Sequence, residues 1–151
     1  MKNVIAAALG SALICLAGCS ASFDDMSVDE KKAWIDENLI MGDFGETVHA
    51  ENMDVSVVST DSQCWEVKVK NTGTVRSILG RQAELTLTAG GSVVSLRDLR
   101  TGDDLNDKFP DDFFPIHRGG TSSVEVCTTP EASTKVLAFG IFIDGTPISF
   151  I

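Results

Sequence analysis

The chain has 151 residues, of which 43% are hydrophobic, and its 12 basic and 22 acidic residues give a net charge of −10 at pH 7. This length is enough for one domain with its own hydrophobic core and is short for two. A strongly acidic protein repels nucleic acids and anionic lipid headgroups, so the composition argues against a nucleic-acid partner.

The first eighteen residues have the features of an export signal. One charged residue, Lys2, is followed by a run from position 4 to position 17 in which every residue is apolar or small. That run is too short to remain in a bilayer as a spanning helix, so residues 1–18 are predicted to be a cleaved signal peptide. The run ends in Leu16-Ala17-Gly18-Cys19, which resembles the lipobox of bacterial lipoproteins.

The resemblance to a lipobox implies a lipid anchor on Cys19. In such lipoproteins the chain is cut before the cysteine, whose sulfur carries a diacylglycerol and whose new amino group is acylated. The lipid bilayer is then a partner, and two or more acyl chains hold a protein on it stably. Residues 19–26 would form a lipidated tether. Gram-negative lipoproteins retained in the inner membrane usually have Asp after the cysteine. This chain has Ser20, so we expect the periplasmic face of the outer membrane.

The remaining cysteines predict a disulfide. Cys15 leaves with the signal and Cys19 carries the lipid, so Cys64 and Cys127 are the pair left in the mature chain. An even pair in an oxidising compartment predicts one structural disulfide. The alternatives are a metal site or a redox couple. A metal would need further Cys or His ligands at close spacing, which the two histidines do not provide, so neither a metal nor a cofactor is expected.

Helical signals follow the tether. Ser27-Val28-Asp29-Glu30 fits a capping box, in which the first and last side chains each accept a hydrogen bond from a backbone N–H. Strong helix formers continue beyond it, and Gly42 is predicted to end a helix of residues 27–42. We expect this helix to cover one end or face of the core. The alternative is a docking helix that uses Trp34 to bind a partner.

Apolar and polar residues alternate from residue 47 onward, as in strands with one buried face. The clearest segment, 64–70, places Trp65, Val67 and Val69 on one face and Cys64 on the other. Together with the intervening turns, seven such segments predict an antiparallel β-sandwich over residues 47–151. The segments are 53–57, 64–70, 83–88, 92–96, 121–128, 136–143 and 146–151.

The last two segments have predicted positions in the sheet. The nearly continuous apolar run 136–143 is typical of a central strand. Asp144-Gly145 is a two-residue hairpin signal, which connects this strand to the segment 146–151. Pro147 lacks a backbone N–H, and the last segment is therefore predicted to be an edge strand.

Two stretches resemble the Ig-like β-sandwich modules of bacterial envelope proteins. WEVKVKNTG, residues 65–73, is similar to their strand followed by an Asn and Gly turn. PIHRGGTSSV, residues 115–124, is similar to their Pro and Gly turn followed by a strand. The resemblance implies an Ig-like sandwich. Together with the helix and strands predicted above, the expected fold is a mainly β, antiparallel, Ig-like sandwich of about seven strands with one short N-terminal helix. The chain departs from true immunoglobulin domains in having Trp65 directly after Cys64, and the resemblance carries over no functional residue.

Residues 97–120 form a long connection without a clear period, and such loops are often functional. Five of its six aspartates are candidate calcium ligands, although the spacing of an EF-hand is absent: Asp103, Asp104, Asp107, Asp111 and Asp112. Its three phenylalanines, Phe109, Phe113 and Phe114, are candidate apolar anchors for a protein partner. The alternative is that Phe113 or Phe114 begins a strand or fills the core of the sandwich.

The sequence has no catalytic or phosphate-binding motif of the forms Gly-x-Ser-x-Gly, His-Glu-x-x-His or Gly-x-Gly-x-x-Gly. We therefore expect a non-catalytic, membrane-anchored lipoprotein that binds an envelope protein near the same membrane, as an accessory or assembly module. The alternative is an inhibitor or exclusion lipoprotein that blocks an enzyme, a toxin or a phage. A ligand-binding or catalytic domain is the third class.

Overall fold

The structure is a computed structural model that describes residues 23–130 and 135–151. The chain divides into two compact units, Met1–Glu37 and Asn38–Ile151. The predicted signal peptide, Cys19 and the first part of the tether lie outside the described residues.

The first unit contains a 3-10 helix at Phe23–Asp25 and the helix α1 at Val28–Asn38. The predicted capping box is confirmed, because the Ser27 N–H donates to Glu30 Oε2 at 2.7 Å and the Glu30 N–H donates to Ser27 Oγ at 3.3 Å. The backbone bond and then the side-chain bond to Ser27 lower the pKa of Glu30. The predicted extension of the helix to Gly42 is wrong, because the chain is already paired as a strand there.

The described residues contain twelve strands, and the seven predicted ones are among them. The other five have only two or three residues each, too few to show a period of two in the sequence. These five are β1, β2, β5, β8 and β9. In chain order the strands are β1 (Ile40–Gly42), β2 (Thr47–His49), β3 (Met53–Asp61), β4 (Cys64–Asn71), β5 (Ser77–Ile78), β6 (Glu84–Ala89), β7 (Ser92–Val94), β8 (Arg97–Asp98), β9 (Ile116–His117), β10 (Thr121–Cys127), β11 (Leu137–Ile143) and β12 (Thr146–Phe150).

The strands form two five-stranded sheets and one two-stranded ribbon. The first sheet has the order β1-β12-β11-β6-β7, the second has the order β2-β3-β4-β10-β8, and β5 pairs with β9. All strand pairs of the described residues are antiparallel except β1 with β12, which is parallel. The predicted fold class, a mainly β antiparallel sandwich with a short N-terminal helix, is confirmed. Its first strand begins at Ile40, before the predicted start at residue 47.

The core consists of the inward-facing residues of both sheets. Trp65, Val67 and Val69 of β4 are buried while Cys64 is only half-buried, as the alternation predicted. The Trp65 ring meets the Phe139 ring of β11 edge-on, with 5.2 Å between the ring centroids. Since β4 and β11 belong to different sheets, this contact lies between the two layers of the sandwich.

The position of β11 is predicted correctly and that of β12 is not. β11 is the middle strand of its sheet, but β12 lies between β11 and β1 and is not an edge strand. Pro147 is tolerated there because β1 pairs only with residues 148–150, so no β1 partner faces the missing N–H of Pro147.

Candidate functional site

The predicted disulfide is confirmed. Cys64 and Cys127 are bonded with an S–S distance of 2.07 Å, and they lie directly opposite each other on β4 and β10. The bond therefore joins neighbouring strands of one sheet, at the C-terminal end of β10.

The three phenylalanines of the long loop form one aromatic cluster. The ring centroids of Phe109 and Phe113 are 4.6 Å apart, and Phe114 lies 5.3 Å from Phe109 and 5.0 Å from Phe113. Phe109 and Phe113 are only 8% and 3% exposed and pack into the core, and Phe114 is half-buried against it. Phe109 and Phe113 are therefore not exposed anchors in this structure, and the alternative that Phe113 fills the core is confirmed.

The first part of the loop folds into a tight hairpin. Leu105 N–H donates to the Leu96 carbonyl at 3.0 Å, and Asp98 N–H donates to the Asp103 carbonyl, also at 3.0 Å. Gly102, with a φ of +76°, donates to the Asp98 carbonyl at 2.7 Å and completes the turn. We call residues 97–112 the acidic segment, because they include six aspartates and three cations.

Arg100 links the two ends of the acidic segment. Its Nη1 and Nη2 donate to Asp112 Oδ2 and Oδ1 at 2.9 and 3.0 Å, and Nη2 also lies 3.4 Å from Oδ2 of Asp98, which is buried. The side-chain hydrogen bonds to Asp112, followed by the charges of both aspartates, raise the pKa of Arg100. The same hydrogen bonds are the main cause that lowers the pKa of Asp112. This bidentate bridge connects the two ends of the segment, which the backbone bonds of the hairpin also order.

Three other carboxylates of the segment project into solvent. Asp103, Asp107 and Asp111 are exposed, and none of them forms an ion pair with any residue that the structure describes. Asp103 and Asp111 line a cleft of about 400 Å³. Asp107 lines a neighbouring cleft of about 190 Å³ beside β7. The acidic segment therefore presents fixed negative charge around two shallow clefts.

The aspartates do not converge on one point. Within residues 23–130 and 135–151, no three His, Cys, Asp or Glu side chains come together as a group able to hold a metal ion. Asp104 is instead paired with Arg97 at 3.1 Å, and Asp112 with Arg100. The calcium hypothesis has no geometric support among these residues.

Trp34, the predicted docking residue of α1, is half-buried. Its ring meets the Phe23 ring edge-on at 5.3 Å, and Lys31 Nζ lies 5.4 Å from the centre of the same Phe23 ring. No residue of α1 is buried. Neither α1 nor any other helix in the described part of the chain is long and apolar enough to cross a membrane.

Ser77 and His117 form a pair that sequence analysis did not single out. Ser77 Oγ lies 2.8 Å from His117 Nδ1, across the ribbon of β5 and β9. His117 is exposed, and no carboxylate of the described residues bonds to its ring. The pair lacks the orienting acid that activates a serine nucleophile.

The same ribbon carries a positive surface that the sequence analysis missed. We call Arg76, Arg81, His117 and Arg118 the basic ribbon, and all four are exposed. The signal was present in the sequence: residues 67–83 and 113–124 contain five of the twelve Lys and Arg residues and none of the 22 acidic ones. The pairing of β5 with β9 brings these two acid-free segments together.

Comparison with known proteins gives no functional relative. No family model and no curated protein matches the chain. Among solved structures, the chain is similar to an uncharacterized beta-sandwich protein from Clostridium difficile 630, with 12% sequence identity and a TM-score of 0.40. The match covers 74% of this chain and 92% of that one.

Proposed function

We propose that this protein is a non-catalytic lipoprotein of the bacterial envelope that binds another envelope protein near the same membrane. It would be held on the periplasmic face of the outer membrane through acylated Cys19. The lipobox-like sequence Leu16-Ala17-Gly18-Cys19 supports the anchor. The bonded pair Cys64 and Cys127 supports an oxidising compartment outside the cytoplasm.

The observation that supports the binding function is the set of unpaired carboxylates on the acidic segment. Asp103, Asp107 and Asp111 are exposed beside the clefts, while Arg100 fixes the segment that holds them. A surface that is already ordered loses little conformational entropy on binding. Its charge favours a partner with a cationic surface and accelerates the encounter with it.

The binding function is tested by cross-linking in intact cell envelopes, followed by mass spectrometry of the cross-linked species. The test variant combines Asp103→Asn, Asp107→Asn and Asp111→Asn. The control removes the same number of exposed, unpaired carboxylates elsewhere, with Asp43→Asn, Glu46→Gln and Glu51→Gln. We expect the test variant to lose the cross-linked partner and the control to keep it. Loss in both variants, or retention in both, would contradict a role for the acidic segment.

The anchor is tested separately by feeding cells labelled palmitate. We expect label in the full chain and none in the Cys19→Ser variant. Detergent fractionation then assigns the labelled protein to the inner or the outer membrane. An unlabelled wild-type chain would exclude the lipid anchor, whatever the cross-linking shows.

A further inference from the structure

We infer that the basic ribbon contacts the anionic phospholipid headgroups of the bilayer that holds the lipid anchor, as a second membrane contact besides Cys19. The choice of this bilayer rests on the proposed anchor. The residues proposed to contact the headgroups all belong to the sandwich unit, Asn38–Ile151.

The first observation is the placement of two arginines. Ser77 is opposite His117 in the ribbon, and the Arg118 N–H donates to the Arg76 carbonyl at 2.9 Å, so Arg76 and Arg118 are cross-strand neighbours. Like charges directly opposite each other destabilise a strand pair. Neither arginine, nor Arg81, forms an ion pair with a carboxylate in the described part of the chain, although the whole chain has 22 acidic residues. The Arg118 guanidinium donates to the Thr74 carbonyl, which carries no net charge, so an external anion is what would neutralise these cations.

The second observation is that the ribbon is fixed in place. The buried Asn71 side chain donates to the carbonyls of Ile116 and Val75, on both sides of the ribbon. The Asp144 carboxylate accepts from the backbone N–H groups of Leu79 and Arg81 at 3.0 and 2.7 Å. Asp144 forms no ion pair with Arg81 among the described residues, and its single negative charge is outnumbered by Arg76, Arg81 and Arg118. The backbone that carries the cations is therefore fixed before any ligand arrives.

The third observation favours a bilayer over a soluble anion. Two apolar side chains of the same segment point into solvent, Leu79 at 50% exposure and Val75 at 36%. Apolar side chains flanked by Lys or Arg are typical of surfaces that lie in the headgroup region, where the apolar groups enter the acyl boundary. A soluble phosphate would need only the cations.

The fourth observation is where the anchored chain enters the sandwich. β1 is parallel to β12, and Ile40 lies opposite Ile148, so the start of β1 lies near the turn that precedes Thr146. That turn contains Asp144, which holds Leu79 and Arg81. The twenty residues that separate Cys19 from Ile40 therefore join the sandwich at the end that carries the ribbon.

The net charge of −10 repels anionic headgroups, but salt limits the range of this repulsion. Charges that lie farther from a membrane surface than the Debye length, about 8 Å at physiological salt, are largely screened from it. The local charge of the approaching surface then decides the interaction, and on the basic ribbon that charge is positive.

The test uses the mature chain, residues 19–151, with Cys19→Ser so that no acyl chain takes part. Its sedimentation is measured with vesicles of equal parts phosphatidylglycerol and phosphatidylcholine, and with vesicles of phosphatidylcholine alone. We expect binding to the anionic vesicles only, and weaker binding as salt rises from about 0.05 to about 0.5 M. Since each basic residue near an anionic surface contributes roughly fivefold, Arg76→Gln with Arg118→Gln should weaken binding at least tenfold. Leu79→Asn should also weaken it.

The matched control is Lys108→Gln with Lys135→Gln, which removes two exposed cations outside the ribbon and should leave vesicle binding within twofold of the parent protein. Arg76→Lys with Arg118→Lys should retain binding, which separates charge from folding. Equal binding to both vesicle types, or unchanged binding after Arg76→Gln with Arg118→Gln, would overturn the inference. Binding of inositol hexaphosphate or an acidic peptide without vesicle binding would assign the ribbon to a soluble anion instead. None of these outcomes affects the labelling of Cys19 with palmitate, so the proposed anchor is tested independently.

Discussion

The side-chain amide of Asn71 donates a hydrogen bond to the backbone carbonyl of Ile116 at 3.0 Å, although the two residues are 45 positions apart. The same amide nitrogen reaches the Val75 carbonyl at 3.3 Å, and its oxygen accepts from the Gly73 N–H at 3.2 Å. Asn71 is completely buried, so these bonds have no water to replace them. One side chain thereby connects the end of β4 to β9 and to the segment that precedes β5.

Asn71→Ala should therefore destabilise the protein strongly. The change leaves the buried Ile116 carbonyl without its donor, and the expected loss is about 2–3 kcal/mol in the free energy of unfolding. In a domain of this size that loss lowers the melting temperature by roughly 10 °C. Thr72→Ala, an exposed neighbour in the same turn, should change the stability by less than about 0.5 kcal/mol. Equal melting temperatures for the two variants would contradict the role of Asn71.

The aromatic cluster gives a prediction opposite to the one expected for exposed anchors. Phe113 is 3% exposed, and its ring lies against both Phe109 and Phe114. Phe113→Ala should cost about 3–5 kcal/mol, because it removes a buried ring and leaves a cavity. Phe114→Ala should cost less, since Phe114 is only half-buried. Thermal unfolding of the two single variants measures the difference. An unchanged melting temperature for Phe113→Ala would contradict the burial of this residue in the core.

The strands and the loop differ in how far the sequence predicts them. Burial of one face leaves a period of two in β4, and burial of a central strand leaves a nearly continuous apolar run in β11. Both strands are predicted to within one or two residues. The acidic segment has no such period, because its order comes from bonds such as Leu85 N–H to the Asp107 carbonyl, between residues distant in the chain. A contact of this kind leaves no pattern in the local sequence.

The basic ribbon was missed for a different reason. Net charge averages over the whole chain, and 22 acidic residues hide a cluster of cations. The local distribution of charge, with no acidic residue in 67–83 or 113–124, was visible in the sequence. The two acid-free segments form one surface only because β5 pairs with β9. This pairing has only two residue pairs and no hydrophobic period that would predict it.

The disulfide should stabilise the sandwich mainly through the unfolded chain. Cys64 and Cys127 are neighbours in a seven-pair antiparallel ladder, so the native strands stay paired without the bond. Its sequence separation of 63 residues predicts about 4 kcal/mol from the lost loop entropy of the unfolded state. Cys64→Ser with Cys127→Ser should keep the native circular dichroism spectrum and unfold at a lower urea concentration. A reductant should shift the wild-type midpoint to that of the double variant and leave the double variant unchanged. A wild-type midpoint that resists complete reduction would contradict this account.

The bridge between Arg100 and Asp112 should make stability depend on pH. Hydrogen bonds from Arg100 lower the pKa of Asp112, so the folded state binds a proton at Asp112 less readily than the unfolded state does. The stabilisation is therefore present above the ordinary Asp pKa of 3.8 and is lost as the pH falls through the lower folded-state value. In a ¹³C NMR titration, we expect the pKa of Asp112 to rise toward its ordinary value in Arg100→Gln. The melting temperatures of wild type and Asp112→Asn should differ at pH 7 and converge in acid.

Asp111→Asn removes the neighbouring exposed carboxylate, which has no ion pair among the described residues, and should show no such convergence. If Asp112 titrated identically in wild type and Arg100→Gln, the bridge would not form in solution, and the acidic segment would lose the contact that orders it for binding.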